Sequence, residues 1–216
     1  MTEIILVRHG QANSHAKDEA SYDKLSDLGH QQAAWLGAHM ADTNPHFDRV
    51  ITGTLHRQAD TARSMGYTIT QQDTRLDELN YFDIAQAMET QLGIPFPSSP
   101  AAYASHLPQL LDNWERDQIN DIPELFASFS TRVRDMLDAL CNLDGRILVV
   151  TSGGVIGMIM RHTLQLENAG TARMMLQIMN SSMHRLEYVH DQLMVGTFNA
   201  TPHLDTPERS HARTHV

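Results

Sequence analysis

Two stretches of this chain restrict its fold more than any others. Ile4-Ile5-Leu6-Val7 and Ile147-Leu148-Val149-Val150 are short, β-branched apolar runs, the pattern of strands buried on both faces. Each ends abruptly in a polar turn containing glycine, Arg8-His9-Gly10 and Ser152-Gly153-Gly154. Beyond the first turn a polar loop leads to Ser26, placed to cap a helix with Asp27 in its first turn. Leu28, Trp35, Leu36 and Met40 fall on one side of that helix. Beyond the second turn, Val155 to about Leu164 reads as a helix apolar on most faces. Between them, Asp48 to Thr52 reads as another strand, followed by Gly53-Thr54 and a helix from about Leu55 to Met65 with Thr54 as its N-cap. Strands alternating with helices predict an α/β sandwich, parallel at its centre. In such sheets ligands bind beyond the carboxyl ends of the central strands, so both glycine turns face one cleft.

The stretch from Tyr81 to Pro123 breaks this alternation. It holds Pro95, Pro97, Pro100, Pro108 and Pro123 and no clear strand. It reads as an irregular, partly helical insertion that covers a site rather than building the sheet. Helical spacing returns at Phe126, Phe129, Val133, Met136, Leu137 and Leu140 and stops at Asp144-Gly145. Ser182 to Val189 and Gln192 to Phe198 read as a hairpin turning at His190-Asp191. At 216 residues the chain suits one domain over residues 1–200, with the insertion at about 81–123, and a polar tail over 201–216 expected to fray in water.

The formal net charge of −10 argues against a protein that coats nucleic acid or an anionic membrane. The single cysteine, Cys141, excludes an intrachain disulfide and falls on the apolar side of a helix, where a core role is expected. The start of the chain lacks the features of a signal peptide, and no apolar run suffices to cross a bilayer, so the expected location is cytoplasmic. The histidines lack metal-site spacing, so no metal or other cofactor is expected.

Hydrolysis of a phosphate monoester without a metal requires a nucleophile, cations for the equatorial oxygens, and an acid for the leaving oxygen. A neutral imidazole at His9 suits the first role. Arg8 beside it suits a bidentate clamp, and Gly10 allows a close backbone approach. The plain alternative is a satisfied histidine next to a surface arginine. Arg57 lies in the first turn of the helix after the second strand, where a helix N-terminus already favours an anion. Glu78, in Arg75-Leu76-Asp77-Glu78-Leu79, is flanked by leucines that would bury it and raise its pKa, as a general acid needs; Asp77 is the competing candidate.

The ordered segments Leu-Val-Arg-His-Gly-Gln, Leu-Ser-Asp-Leu-Gly-His-Gln-Gln-Ala, Leu-His-Arg-Gln-Ala-Asp-Thr-Ala and Leu-Asp-Glu-Leu resemble the histidine phosphatase (phosphoglycerate mutase-like) superfamily over roughly residues 2 to 200. The resemblance implies a three-layer α/β/α sandwich with a mostly parallel central sheet and metal-independent phosphoryl transfer. It makes His9 the nucleophile, Arg8 and Arg57 the phosphoryl clamps, and Glu78 the proton donor. Gly10, Gln11, Asn13, Ser152 and Gly153 join Arg8 and Arg57 as candidate phosphate-binding residues, with ordinary solvated loop residues as the alternative for Gln11 and Asn13.

One departure matters. Where most of that family carries a second histidine before glycine, this chain has Ser152. A serine hydroxyl is a neutral donor, so the loss of charge assistance amounts to about 1 to 2 kcal/mol, or up to about 100- to 1,000-fold in rate if the donor acts mainly on the transition state. His184 and His56 are the two histidines considered as substitutes. The primary expectation is a phosphatase acting on a small phosphorylated metabolite or a phosphoprotein, slowed by Ser152. The alternatives are a catalytically weak phosphate-binding or regulatory protein, and, less favoured, a phosphoglycerate mutase, which needs a cationic grip that the insertion, with Arg116 as its only basic residue, lacks. Oligomeric state is not encoded in any recognisable feature.

Overall fold

Strand β1 (Thr2–Arg8) sends Ile4 and Leu6 to one side of the sheet and Ile5 and Val7 to the other, and all four are buried. A strand with that pattern is stable only when both faces are covered, each such side chain contributing about 1.5 to 3 kcal/mol relative to exposure. The computed structural model, which describes residues 2–13, 16 and 18–215, supplies both covers.

The sheet has six strands in the order β3 (Gln71–Gln72), β2 (Arg49–Thr52), β4 (Gly145–Thr151), β1, β5 (Met183–Val189) and β6 (Gln192–Ala200). The first four run parallel; β5 and β6 are the antiparallel hairpin at one edge. On one face Ile5, Val7, Val50 and Val150 pack against α2 (Asp27–Thr43) and α3 (His56–Ser64) through Ala33, Leu36, Met40 and Ala62. On the other, Ile4, Leu6, Ile147 and Val149 pack under α4 (Tyr81–Leu92), α5 (Pro100–Glu115), α6 (Phe126–Cys141), α7 (Gly153–Leu164) and α8 (Asn168–Gln177). The result is the expected layered α/β arrangement. A short helix, α1 (Glu19–Tyr22), interrupts the loop between β1 and α2.

Three local expectations change. The insertion is mostly helical, not irregular: Ser99 caps α5, Pro100 occupies its first turn where a missing N–H costs nothing, and Gly93 ends α4 in the left-handed conformation. Its Ile84, Met88, Leu110, Leu111 and Trp114 are fully buried in the same core as Ile4 and Leu6, so the segment builds the domain as well as covering it. Helix α3 begins after Leu55, not Thr54, and its first N–H groups are satisfied from outside the helix by Asp23. The tail does not fray. Pro202–Leu204 and Pro207–Ala212 form turns of 3-10 helix, Ala212 and Leu204 are buried, and Arg209 lies 4.7 Å over the Trp35 ring. His203, expected to stay in water, is buried with Nε2 on Ser181 Oγ at 2.8 Å, whereas His211 and His215 are exposed. Cys141 packs half-buried at the end of α6, and burial pushes its thiol up to about 11, away from reactivity. No helix among the described residues is long and apolar enough to cross a membrane.

Candidate active site

Because β1 and β4 are parallel neighbours with Arg8 opposite Thr151, the two glycine turns emerge side by side. The His9 N–H donates to Thr151 O at 2.9 Å, which places His9 against the Ser152 turn. The His9 ring is 1% exposed, and its Nδ1 lies 2.7 Å from Gly10 O. A carbonyl only accepts, so Nδ1 carries the proton and the neutral ring presents its lone pair on Nε2. Burial, followed by the positive charges of Arg57 and Arg8, holds His9 well below the ordinary histidine pKa, so the ring is neutral at pH 7.

Arg57 is 1% exposed in the first turn of α3. Its Nη1 donates to Asp23 Oδ1 at 3.2 Å, while Nε and Nη2 are buried without a hydrogen-bond partner. Those two nitrogens lie on one edge of the guanidinium, the edge that takes an oxyanion side-on. Arg8 is buried too; its Nη1 donates to Ile178 O at 2.6 Å and its Nε has no partner. Buried donors without hydrogen bonds on two cations beside a neutral imidazole are an arrangement that can take an anion with several oxygens.

Glu78 and Asp77 separate cleanly. Both Asp77 oxygens are committed to Thr54, accepting from its N–H and its hydroxyl at 2.6 Å each. Glu78 Oε2 accepts from Gly154 N at the start of α7, and Oε1 from Leu79 N, both at 3.0 Å. A Cβ on Gly154 would come within 2.3 Å of Glu78 Oε1, so that glycine makes room for the carboxylate. Glu78 therefore stands at the Ser152 turn, and Leu76 and Leu79 turn into the core.

Other expected residues have local duties. Gly10 lies so near α2 that a Cβ would come within 2.3 Å of Gly29 O, and its N–H donates to Thr61 Oγ1 at 3.0 Å. Gln11 Oε1 accepts from the Ser26 hydroxyl, and Asn13 Nδ2 donates to Ser21 O, so both side chains bind the loop to its neighbouring helices. Gly153 faces Arg8, with a Cβ there 3.5 Å from Arg8 Nε. Ser152 is fully buried at the N-terminus of α7, its Oγ 2.8 Å from Gln58 Nε2. Neither proposed substitute histidine is available. His184 is buried with both ring nitrogens engaged, by Ser182 Oγ and Asn199 N, and burial pulls its pKa to about 3. His56 points outward, its side chain 82% exposed and Nδ1 on Asp23.

Four further residues contact His9, Arg57 or Ser152. Asp23 accepts from the N–H groups of Arg57 and His56 as well as from the Arg57 side chain; burial alone would raise its pKa, and these donors hold it below the ordinary value instead. Tyr22 lies edge-on to His9 at 6.2 Å between ring centres and 4.9 Å from the Arg57 guanidinium. Glu19 Oε2 is 3.9 Å from Arg57 Nη2, and burial pushes its carboxyl up to about 7 against the pull of Arg57. Gln58 holds Ser152. No periodicity marks Glu19, Tyr22 or Asp23 in the sequence; only their position in the loop after the first glycine turn, and that of Gln58 next to Arg57, hints at them.

A cavity of about 450 Å³ opens beside Arg57 and Glu78, walled also by Glu19, Asp77, Glu124 and Arg132. Arg132 is engaged by Glu124 through two nitrogens and by the Asp77 carbonyl. A larger depression, about 910 Å³, lies near Cys141, His162 and Tyr188. Tyr188 pairs with Thr2, at the far end of β1 from His9, so the smaller cavity is the one that matters here. Among the described residues no group of three or more His, Cys, Asp or Glu is placed to hold a metal ion.

The family model described as histidine phosphatase superfamily (branch 1) matches residues 4–201. Solved structures share the fold. A mutant phosphoserine phosphatase from Entamoeba histolytica, in complex with phosphoserine, superposes with a TM-score of 0.68 at 21% identity, covering 94% of this chain and 100% of that one. A mycobacterial glucosyl-3-phosphoglycerate phosphatase with VO3 gives 0.62 at 21% identity, over 93% and 100% of the two chains. The alpha-ribazole phosphatase of Shigella flexneri gives 0.64 at 18% identity, over 92% and 96%. No curated protein matches the chain.

Proposed function

The chain belongs to the histidine phosphatase superfamily, and on that premise we propose that it hydrolyses phosphate monoesters by passing the phosphoryl group through His9. The observation that carries this reading is the edge of Arg57, Nε and Nη2, buried without a hydrogen bond among the described residues beside a neutral His9 and an Arg8 Nε that likewise makes none. His9 Nε2 attacks phosphorus while Nδ1–H stays on Gly10 O. Arg8 and Arg57 take up charge on the equatorial oxygens, and Glu78 protonates the leaving oxygen as the P–O bond breaks. The alcohol departs; Glu78, now a carboxylate, removes a proton from water, which attacks the phosphohistidine and releases inorganic phosphate. The guanidinium pair supplies the positive charge, so the scheme calls on no metal or other cofactor.

The substrate class follows from what surrounds the acid. Glu19, Asp77, Glu78 and Glu124 wall the adjoining cavity, and its second arginine, Arg132, is already paired. Beyond the Arg57 clamp these lining residues therefore offer no free cation to grip a substrate carboxylate, which argues against a phosphoglycerate mutase. A small phosphorylated metabolite fits the cavity volume, and the three phosphatases with this fold point the same way. The protein acts in the cytoplasm on this reading.

A specific observation favours a second reading, a weak phosphate-binding or regulatory protein: α1 lies over the site, with Tyr22 on His9 and Glu19 facing Arg57, where an incoming anion must go. Turnover of an aryl phosphate by the wild type and by His9→Ala decides between them. The phosphatase reading expects turnover that the substitution abolishes. Phosphate binding without turnover on any of a broad panel of phosphate monoesters would leave the second reading standing.

A further inference from the structure

Ser152 stands where the family resemblance places a second histidine, and its hydroxyl is held by a buried side chain. Gln58 follows Arg57 in α3 and is fully buried. Its Nε2 lies 3.0 Å from Leu76 O and 2.8 Å from Ser152 Oγ. Leu76 O can only accept, so it fixes which way the amide faces: nitrogen toward the serine, Oε1 away. Ser152 Oγ is therefore an acceptor in this pair, and its own proton must go elsewhere. Among the described residues it has no acceptor, and Ser152 does not use its side chain to cap α7.

The surroundings of that proton are the site itself. The residue before Ser152 accepts from His9 N, the residue after it faces Arg8 Nε, and the next binds Glu78 Oε2. Gln58 is also held at a cost. Its Oε1 is buried without a donor, which is destabilising, and it fits only because residue 53 is glycine, since a Cβ there would come within 1.9 Å of Oε1. A glutamine serving only to bridge two elements has no need of such an arrangement.

We propose that Gln58 is a positioning residue that makes Ser152 an obligate hydrogen-bond acceptor on its inner side, so that the serine hydroxyl donates its proton to a phosphoryl oxygen in place of a second histidine. The proposal rests on the phosphatase reading above. Gln58 touches no substrate; it acts through Ser152.

The test is a double-mutant cycle in kcat and KM for an aryl phosphate, with Gln58→Met, Ser152→Ala and the pair. Gln58→Met keeps length and burial but removes the donor. Each single substitution is expected to lower kcat roughly tenfold with KM changed less than about twofold, and the pair no further than Ser152→Ala alone. Multiplying losses, or a Gln58→Met enzyme with unchanged kcat, would overturn the proposal and leave His9 chemistry intact. Should Gln58→Met fail to fold, Gln58→Glu serves instead: an ionised carboxylate accepts from Ser152 and turns its proton inward, so kcat is expected to fall at least as far, and wild-type kcat would refute the idea. Absence of His9-dependent turnover in the wild type would overturn this proposal and the phosphatase reading together.

Discussion

Asp23 takes one nitrogen of Arg57, Nη1 at 3.2 Å, and leaves the opposite edge of the guanidinium, Nε and Nη2, without a hydrogen bond among the described residues. Asp23 thereby aims the arginine and satisfies the first N–H groups of α3 at once.

Asp23→Ala should therefore cost more activity than the loss of a distant loop carboxylate. Misplacing a clamp by about 1 Å lowers catalysis on the order of 100-fold, and the uncapped helix loses about 1 kcal/mol of stability. Steady-state kinetics with thermal unfolding measure both. A variant with wild-type kcat/KM would show that Arg57 needs no such guide.

Glu78 and Asp77 should part company by leaving group. Glu78→Gln is expected to slow alkyl phosphates, which need protonation, by about 10²- to 10⁴-fold, and aryl phosphates far less. Asp77→Asn keeps one acceptor oxygen and breaks one of the two bonds from Thr54, and should lower stability by about 1 to 3 kcal/mol without that leaving-group dependence. A reversed pattern would reassign the acid.

In the proposed mechanism Glu19, 3.9 Å from Arg57 Nη2, would compete with substrate for that arginine. Its pKa in the fold is raised from 4.5 to about 7, so the folded state binds the proton more tightly than the unfolded one. Stability tied to Glu19 is thus fully present below about pH 4.5 and lost as pH rises through 7, and Glu19→Gln should stabilise the protein at pH 8 by about 1 to 2 kcal/mol after discounting for partial exposure. The same substitution should lower KM at pH 8 and flatten its rise between pH 6 and 8. Destabilisation at pH 8, or an unaltered KM profile, would contradict this role.

His184 and His203 are buried neutral with pKa values pulled to about 3. The unfolded chain takes up these protons near pH 6.5 and the folded one does not, so stability falls as pH drops below 6.5. Between pH 6.5 and 5 each histidine should cost about 2 kcal/mol. Urea unfolding at the two pH values measures the loss, and His203→Gln should remove about half of it. A flat profile would mean that these histidines ionise within the fold.

The parts of this fold written in periodicity were legible beforehand. The runs Ile4–Val7 and Ile147–Val150, the cap at Ser26 and the hairpin at His190-Asp191 appear where local patterns put them. The insertion's prolines look like breakers in sequence, yet Pro100 sits in a helix's first turn and Pro108 is carried within α5 by tertiary packing of Leu107, Leu110 and Leu111. Two-residue β3 has no period to detect. Motif order marks His9, Arg8, Arg57 and Glu78 as candidates, and the structure places them near the ends of β1 and β4; their roles are those proposed above. Asp23, Glu19, Tyr22 and Gln58 are not so marked, because each matters only through a contact across 13 to 94 residues of chain that no local pattern encodes.

In the proposed mechanism every step passes through a phosphoryl group carried on His9. Rapid mixing with excess aryl phosphate, an alkaline quench that preserves phosphohistidine, and peptide mass analysis test it directly. A phosphoryl group is expected on His9 within the first turnover and is expected to be absent from His9→Ala. Turnover with no phosphoryl group on His9, or with one on a different residue, would contradict it.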